Sequence, residues 1–224
     1  METITNQTIT RKDVKPQMGT TYENVKFNAC LFRDTNLTTI TFNNCTFNNS
    51  HILRTSMTTV TFNNCTFRNT RVQENEGNNV TFTNNHFSDS SFQDNSFDNA
   101  TLTDNRFTDA SSIVGNTLIG VNMENLTLDE SAITESNSFR KANLNHLNAV
   151  NAPIVDCNFT GANLSHANCE GALLQDCTFD KANLEYASLE RASVPGCSLR
   201  DTVLTGARLT SLDIDGVKYL LIEQ

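Results

Sequence analysis

Residues 38–49 read TTITFNNCTFNN, and residues 58–69 read TTVTFNNCTFRN. Ten of the twelve positions are identical, and the second copy begins 20 residues after the first. Self-similarity at a fixed period marks a stacked repeat architecture, so the period decides the fold. The 20 divides into four fives. Large apolar residues fall at Tyr22, Phe27, Phe32, Leu37, Phe42, Phe47, Ile52, Met57, Phe62, Phe67 and Val72, and the series resumes at Phe82, Phe87, Phe92, Phe97, Leu102 and Phe107. Two residues before each large residue (position i) stands a smaller one (i−2), such as Val25, Cys30, Ile40, Cys45, Ser50, Val60 or Cys65. A period of five matches neither the 3.6 of a helix nor the 2.0 of a strand. It suits a chain that turns a corner every five residues, with i and i−2 pointing inward and the other three outward. Four such sides close a square, and stacked coils pair their backbones at about 4.8 Å.

The count of five fails twice. Inward residues end in 2 or 7 through Phe107, in 3 or 8 from Ile113 through Ile133, and in 4 or 9 from Phe139 to Tyr219. One residue is therefore gained near 108–112 and another near 134–138. Each gain is either a single-residue bulge or a longer loop that replaces whole repeats. If both are bulges, the Cys45–Cys65 column and the Cys157–Cys177–Cys197 column fall on opposite sides of the square. Gly77 stands where a large residue belongs, which predicts a weakened or bulged side. Residues 1–20 are expected to cap the first coil, 21–219 to form the solenoid, and 220–224 to form a tail.

Composition narrows the class. Fourteen Phe at regular intervals exclude a disordered chain. No run of 18 apolar residues exists, so no membrane span is expected. METITNQTITRKDV has no apolar signal core, so a cytoplasmic location is expected. Seven Cys without a C-x-x-C motif, all at inward positions, read as small buried hydrophobes rather than ligands or nucleophiles. His146 and His166 are 20 apart on the surface, but a pair without a third ligand does not make a metal centre. No nucleophile elbow or phosphate loop is present, and a filled rod offers no concave pocket. No enzymatic activity, metal or cofactor is expected. The Thr21, Thr41, Thr61, Thr81 and Thr101 column reads as a strand-forming face rather than an ice-binding one.

Charge is the one strong functional signal. Residues 74–135 carry 11 acids and one base, within a chain whose net charge is −9. The candidate partner surface comprises Asp89, Asp94, Asp98, Asp104, Asp109, Glu124, Asp129, Glu130 and Glu135, all at outward positions. Dense like charge on a rigid rod attracts a basic partner at long range.

The sequence resembles the pentapeptide-repeat family, whose motif is A-(D/N)-L-x-x, most clearly at KANLN (141–145), GANLS (161–165) and KANLE (181–185). That resemblance implies an all-β fold, a right-handed quadrilateral β-helix of about ten coils, roughly 50 Å long at strand spacing. In size and charge, and in SLDIDGVKY (211–219), the chain is similar to the Qnr, MfpA, McbG and AlbG group of topoisomerase-protection proteins. This implies a DNA mimic that binds DNA gyrase or topoisomerase IV and counters quinolones or a peptide toxin, without itself binding nucleic acid or membrane. It also implies a homodimer, placed here at the C-terminal end through Val217, Tyr219, Leu220, Leu221 and Ile222. The alternative is an interaction scaffold or a secreted bacterial effector built on the same repeat.

Overall fold

A chain can turn ninety degrees every five residues only if one residue of each five leaves the extended region. In the computed structural model, which describes residues 2–217 and the backbone of 219–222, that residue is always i+2. Every corner from Asn24 to Gly216 has a positive φ, as at Asn44 (52°), Asn64 (52°), Asp94 (51°) and Gly196 (70°). Left-handed backbone is costly for most L-residues and mildest for Gly, Asn and Asp, which accounts for their abundance at this position.

Between corners run three-residue strands such as Thr41–Asn43, Thr46–Asn48 and His51–Leu53. All pairing along the stack is parallel, one coil on the next, as Tyr22 on Phe42, Phe42 on Phe62 and Phe62 on Phe82. We number the four faces in chain order: face 1 (Tyr22, Phe42, Phe62), face 2 (Phe27, Phe47, Phe67), face 3 (Phe32, Ile52, Val72) and face 4 (Leu37, Met57, Gly77). Face 1 has ten rungs from the Tyr22 coil to the Leu204 coil, which makes nine full turns.

The corner residue donates its N–H to the i+1 carbonyl one coil on, as Asn44 to Asn63 at 2.9 Å. Residue i−1 donates to the i−2 carbonyl one coil back, as Thr46 to Val25 at 3.0 Å. The core is a stack of aromatic columns. Phe47–Phe67 and Phe67–Phe87 stack at 4.8 and 4.5 Å between ring centroids, and Phe42 meets Phe47 across the corner edge-on at 5.5 Å. Fully burying such a side chain contributes about 1.5–3 kcal/mol.

Not all of the interior is apolar. Asn75, Asn95, Asn116 and Asn137 form a buried column at i−2. The Asn75 amide donates to Asn95 Oδ1 at 2.8 Å, Asn95 to Asn116 at 3.0 Å and Asn116 to Asn137 at 3.0 Å. Buried amides are tolerated when each is hydrogen-bonded, and each of these also caps a backbone carbonyl, as Asn95 does for Val72 at 2.8 Å. All seven cysteines are buried free thiols, and the six at i−2 play the same part, as Cys65 Sγ donating to Phe42 O at 3.3 Å, whereas Cys169 packs at an i position. Burial pushes the Cys169 thiol up to about 12.

Both gains in the count are single residues at corners. Phe92 pairs with Ile113, 21 residues on, and the extra residue is held by two successive left-handed positions, Asp109 and Ala110. Likewise Thr117 pairs with Ser138, and Glu135 and Ser136 are both left-handed. The two cysteine columns therefore stand on opposite sides, before face 2 and before face 4. A third gain follows Gly216. The inward series, expected to end at Tyr219, instead pairs Ser198 with Tyr219 and Leu199 with Leu220.

Residues 2–14 lie on the first coil: Thr3–Thr5 and Thr8–Thr10 pair with Thr21–Glu23 and Lys26–Asn28, and Asp13 bridges to Leu31. They make three sides of a shortened coil, with Val14 buried. Gly77 marks neither a bulge nor a void, because Met57, Gly77 and Phe97 pair in register. A Cβ there would meet Val80 Cγ2 at 2.5 Å and Phe97 Cδ1 at 2.9 Å, so the neighbours already fill the space. Gly77→Ala is expected to destabilise by about 1–3 kcal/mol through overpacking. Urea unfolding measures it, and a more stable variant would show that the site is underfilled.

Candidate partner-binding surface

The corner geometry sorts the predicted acids by their offset from the inward residue. Asp89, Asp109 and Glu130 occupy one corner, between faces 2 and 3, on consecutive coils. Asp94 and Glu135 occupy the next, between faces 3 and 4. Asp104 lies between faces 1 and 2, Asp98 on face 4, Glu124 on face 1 and Asp129 on face 2. The nine residues thus do not form one patch. Two acid-lined corners flank face 3, and Asp98, Asp104 and Glu124 lie elsewhere. Sequence reading missed Glu74, Asp156 and Asp176, which extend the Asp94–Glu135 corner. Their spacing by 20 or 21 is legible only once each gain is known to be one residue.

The first bulge is locked by polar contacts. Asp109 Oδ2 accepts from Ser88 Oγ at 2.7 Å and from Thr108 Oγ1 at 2.8 Å. His86 Nε2 lies 2.8 Å from the same Thr108 hydroxyl, an arrangement satisfied with the proton on Nε2. The Ser88 and Thr108 hydroxyls hold the Asp109 carboxyl below its ordinary value of 3.8. Beside it, Arg106 pairs with Asp129 at 2.6 Å. His86, Arg106, Thr108, Asp109, Asp129 and Glu130 surround a shallow polar depression. On the other corner the Asp94 carboxylate lies over Gly115, where a Cβ would sit 2.3 Å from Oδ1. Further along, His146, His166 and Tyr186 stack at 5.1 and 5.2 Å. Among the described residues no group of three potential metal ligands converges, and no helix is long and apolar enough to cross a membrane.

At the C-terminal end, Leu204, Leu209, Leu212 and Ile214 line an apolar hollow of about 240 Å³ together with Leu174, Phe179, Leu184 and Leu199. Val217 packs half-buried against the core. The Tyr219–Ile222 backbone pairs with Ser198–Thr202. The side chains of Tyr219, Leu220, Leu221 and Ile222 lie outside the described residues.

A family model described as pentapeptide repeats (8 copies) matches residues 157–193 and 182–218, and the same five-residue sides run back from there to Tyr22. Residues 157–218 are pentapeptide repeats. Among solved structures it is similar to HetL, a pentapeptide repeat protein involved in heterocyst differentiation regulation from the cyanobacterium Nostoc sp. strain PCC 7120. Identity is 16%, with 96% of this chain and 90% of that one covered and a TM-score of 0.39. Full-length QnrB1, a plasmid-mediated fluoroquinolone resistance protein, is 14% identical over 94% of this chain and 93% of its own, with a TM-score of 0.41. A pentapeptide repeat protein from the Arabidopsis thaliana thylakoid lumen is 26% identical over 36% of this chain and 56% of its own, with a TM-score of 0.35. No curated protein matches the sequence significantly. The likeness to that family rests on the chain's own repeats and register.

Because Asp109 titrates lower when folded, its contribution to stability is present above the unfolded value and is lost as pH falls through the folded one. Asp109→Asn is therefore expected to lower the melting temperature at neutral pH, with the difference from wild type shrinking as pH falls below about 4. Thermal melts at several pH values check this. A difference that persists unchanged in acid would mean that the bulge does not depend on the charge.

Proposed function

We propose that this chain is a pentapeptide-repeat protein and a DNA mimic in the cytoplasm that binds the basic DNA-binding surface of DNA gyrase or topoisomerase IV and protects the enzyme from quinolones or a peptide toxin. The observation that carries the reading is the corner at which Asp89, Asp109 and Glu130 project from consecutive coils. Coils stack at about 4.8 Å, so the corner holds a row of carboxylates on a stiff rod. DNA-binding proteins draw much of their affinity from regularly spaced backbone phosphates. A rigid row of carboxylates competes for the same Lys and Arg side chains and needs no catalytic group. Asp94 and Glu135 on the next corner add a second, roughly parallel row.

In a gyrase supercoiling assay, micromolar protein is expected to inhibit the enzyme or to relieve inhibition by a quinolone or peptide toxin. Neutralising the corner with Asp89→Asn, Asp109→Asn and Glu130→Gln retains residue types that tolerate these positions and is expected to weaken the effect about tenfold. The reading fails if wild type neither inhibits nor protects, or if the neutralised protein acts as wild type does.

We further propose a homodimer joined at the C-terminal end, where the hollow lined by Leu209, Leu212 and Ile214 is apolar. Two-fold pairing is the commonest way to cover such a surface. Sedimentation is expected to show a dimer that Leu209→Glu with Leu212→Glu converts to monomer, and a wild-type monomer at high micromolar concentration would exclude it. The scaffold reading is favoured by a different observation, the outward chemistry of face 3.

A further inference from the structure

Face 3 differs from the other faces in what it presents outward. Across successive coils its outward pairs are Ser112 and Val114, Ala132 and Thr134, Pro153 and Val155, and Leu173 and Gln175, five of the eight apolar and Leu173 38% exposed. Over the same coils the i−1 positions of the other faces are polar, as Asn122, Asn143 and Asn163 on face 1, Asn148 and Asn168 on face 2, and Thr117, Ser138 and Asn158 on face 4, and exposed apolar residues at i+1 occur singly, Val150 on face 2 and Ile119 on face 4. Face 3 is also the longest unbroken sheet, eight strands from Leu31–Arg33 to Leu173–Gln175. From the Ile113 coil on, the other faces are mostly single bridges. The result is a flat, largely apolar strip that nothing in this chain's described residues covers.

We propose that this strip is a docking surface for a basic amphipathic helix of a partner protein, lying along the rod axis. The strip's borders identify the occupant. Glu135, Asp156 and Asp176 stand on successive coils along one edge, and Asp109 and Glu130 stand on the other, which continues as Asn151 and Gly171. Glu130, Glu135 and Asp156 make no ion pair among the described residues. An exposed apolar strip rimmed by polar groups marks an interaction site, and rims of one sign select the opposite sign. The complementary element has an apolar stripe with Lys or Arg on both flanks.

A helix fits the spacing. Its pitch of 5.4 Å is close to the coil spacing of about 4.8 Å, so side chains at i, i+3/i+4 and i+7 meet roughly one coil each. A strand is a poorer occupant because the backbone groups of this sheet are already paired from coil to coil. A second copy is poorer still. Two-fold packing of face 3 on itself would set acidic edge against acidic edge. The proposal does not rest on topoisomerase binding, and the assay above tests that separately.

The test uses the full-length protein and a labelled synthetic helix of about 15 residues, roughly four turns, with Leu at one stripe and Lys on both flanks. The control is a scrambled peptide of the same composition. Fluorescence anisotropy is expected to show at least about tenfold tighter binding of the ordered peptide. Val155→Lys with Leu173→Lys should weaken it by about the same factor, and Glu135→Gln with Asp156→Asn should reduce its salt dependence. Circular dichroism confirms that these surface variants fold. A photo-crosslinking version of the peptide on unmodified protein should label residues 132–134, 153–155 and 173–175, a readout that needs no variant. Equal binding of the scrambled peptide, crosslinks confined to another face, or a face-3 dimer of the free protein dissolved by Leu173→Lys would each overturn the proposal.

Discussion

One backbone requirement organises the molecule: a left-handed residue at every fifth position, locked by hydrogen bonds to the coils on either side. Without it the chain runs on as an ordinary strand. With it, four short sides close and two residues in five are forced inward. The cost of left-handed backbone, about 1–2 kcal/mol for a general L-residue, recurs at each corner and is offset by inter-coil hydrogen bonds and by complete burial of columns such as Phe47–Phe67–Phe87. The requirement also concentrates the tolerance of the chain. An additional residue is absorbed where the backbone is already left-handed, as at Asp109–Ala110 and Glu135–Ser136, while the inward residues Ile113 and Phe139 return to their columns.

The period, the inward set and the faces of the first half were legible because each depends only on counting. Phe42 over Phe62 and Cys45 over Cys65 follow from an interval of 20, and both are buried neighbours. What counting could not supply was the size of each gain. A loop of one residue and a loop of six leave the same arithmetic, and they differ only in inter-coil bonding such as Ala110 N–H to Glu130 O at 3.1 Å. The grouping of acids depended on that size. Asp89 and Asp109 lie before the shift and could be paired, but Glu135 could not be joined to Asp156 and Asp176. Gly77 was misread for another reason. An absent side chain predicts a void only if its neighbours stay in place, and Val80 and Phe97 occupy the space instead. The shortened first coil escaped because Ile4, Ile9 and Val14 keep the interval of five but stand 18 residues from their partners.

The backbone requirement accounts for the corners but not for their charge. Asn24, Asn44, Asn49, Asn64 and Asn69 meet the left-handed demand without charge in the first coils. In the middle coils the same backbone is occupied by Asp89, Asp94, Asp104 and Asp109, and by Glu74, Glu130 and Glu135. Asp is nearly as suitable as Asn for this geometry, so its local stability argument is neutral. Glu has no such advantage, and like charges on adjacent coils repel. Apart from Asp109, whose carboxylate is held by the Ser88 and Thr108 hydroxyls, these carboxylates therefore cost stability where an asparagine would not. That cost has a natural return only in an interaction outside the chain, which is why the corners rather than the core carry the functional reading.

A solenoid makes this separation possible. Each coil contacts only its neighbours, so its stability is close to a sum of local terms, and an outward residue can change without disturbing a distant coil. Face 3 and its two corners show the consequence. The apolar strip from Val114 to Leu173 faces outward at i−1 and i+1, the carboxylates stand at i+2, and the core beneath is built from Ile113, Ile133, Ile154 and Leu174 at i. These sets share a backbone but not a side-chain environment. Charge on the corners can therefore draw a basic partner while the strip between them supplies the contact area, two contributions that mutations at separate positions can remove one at a time.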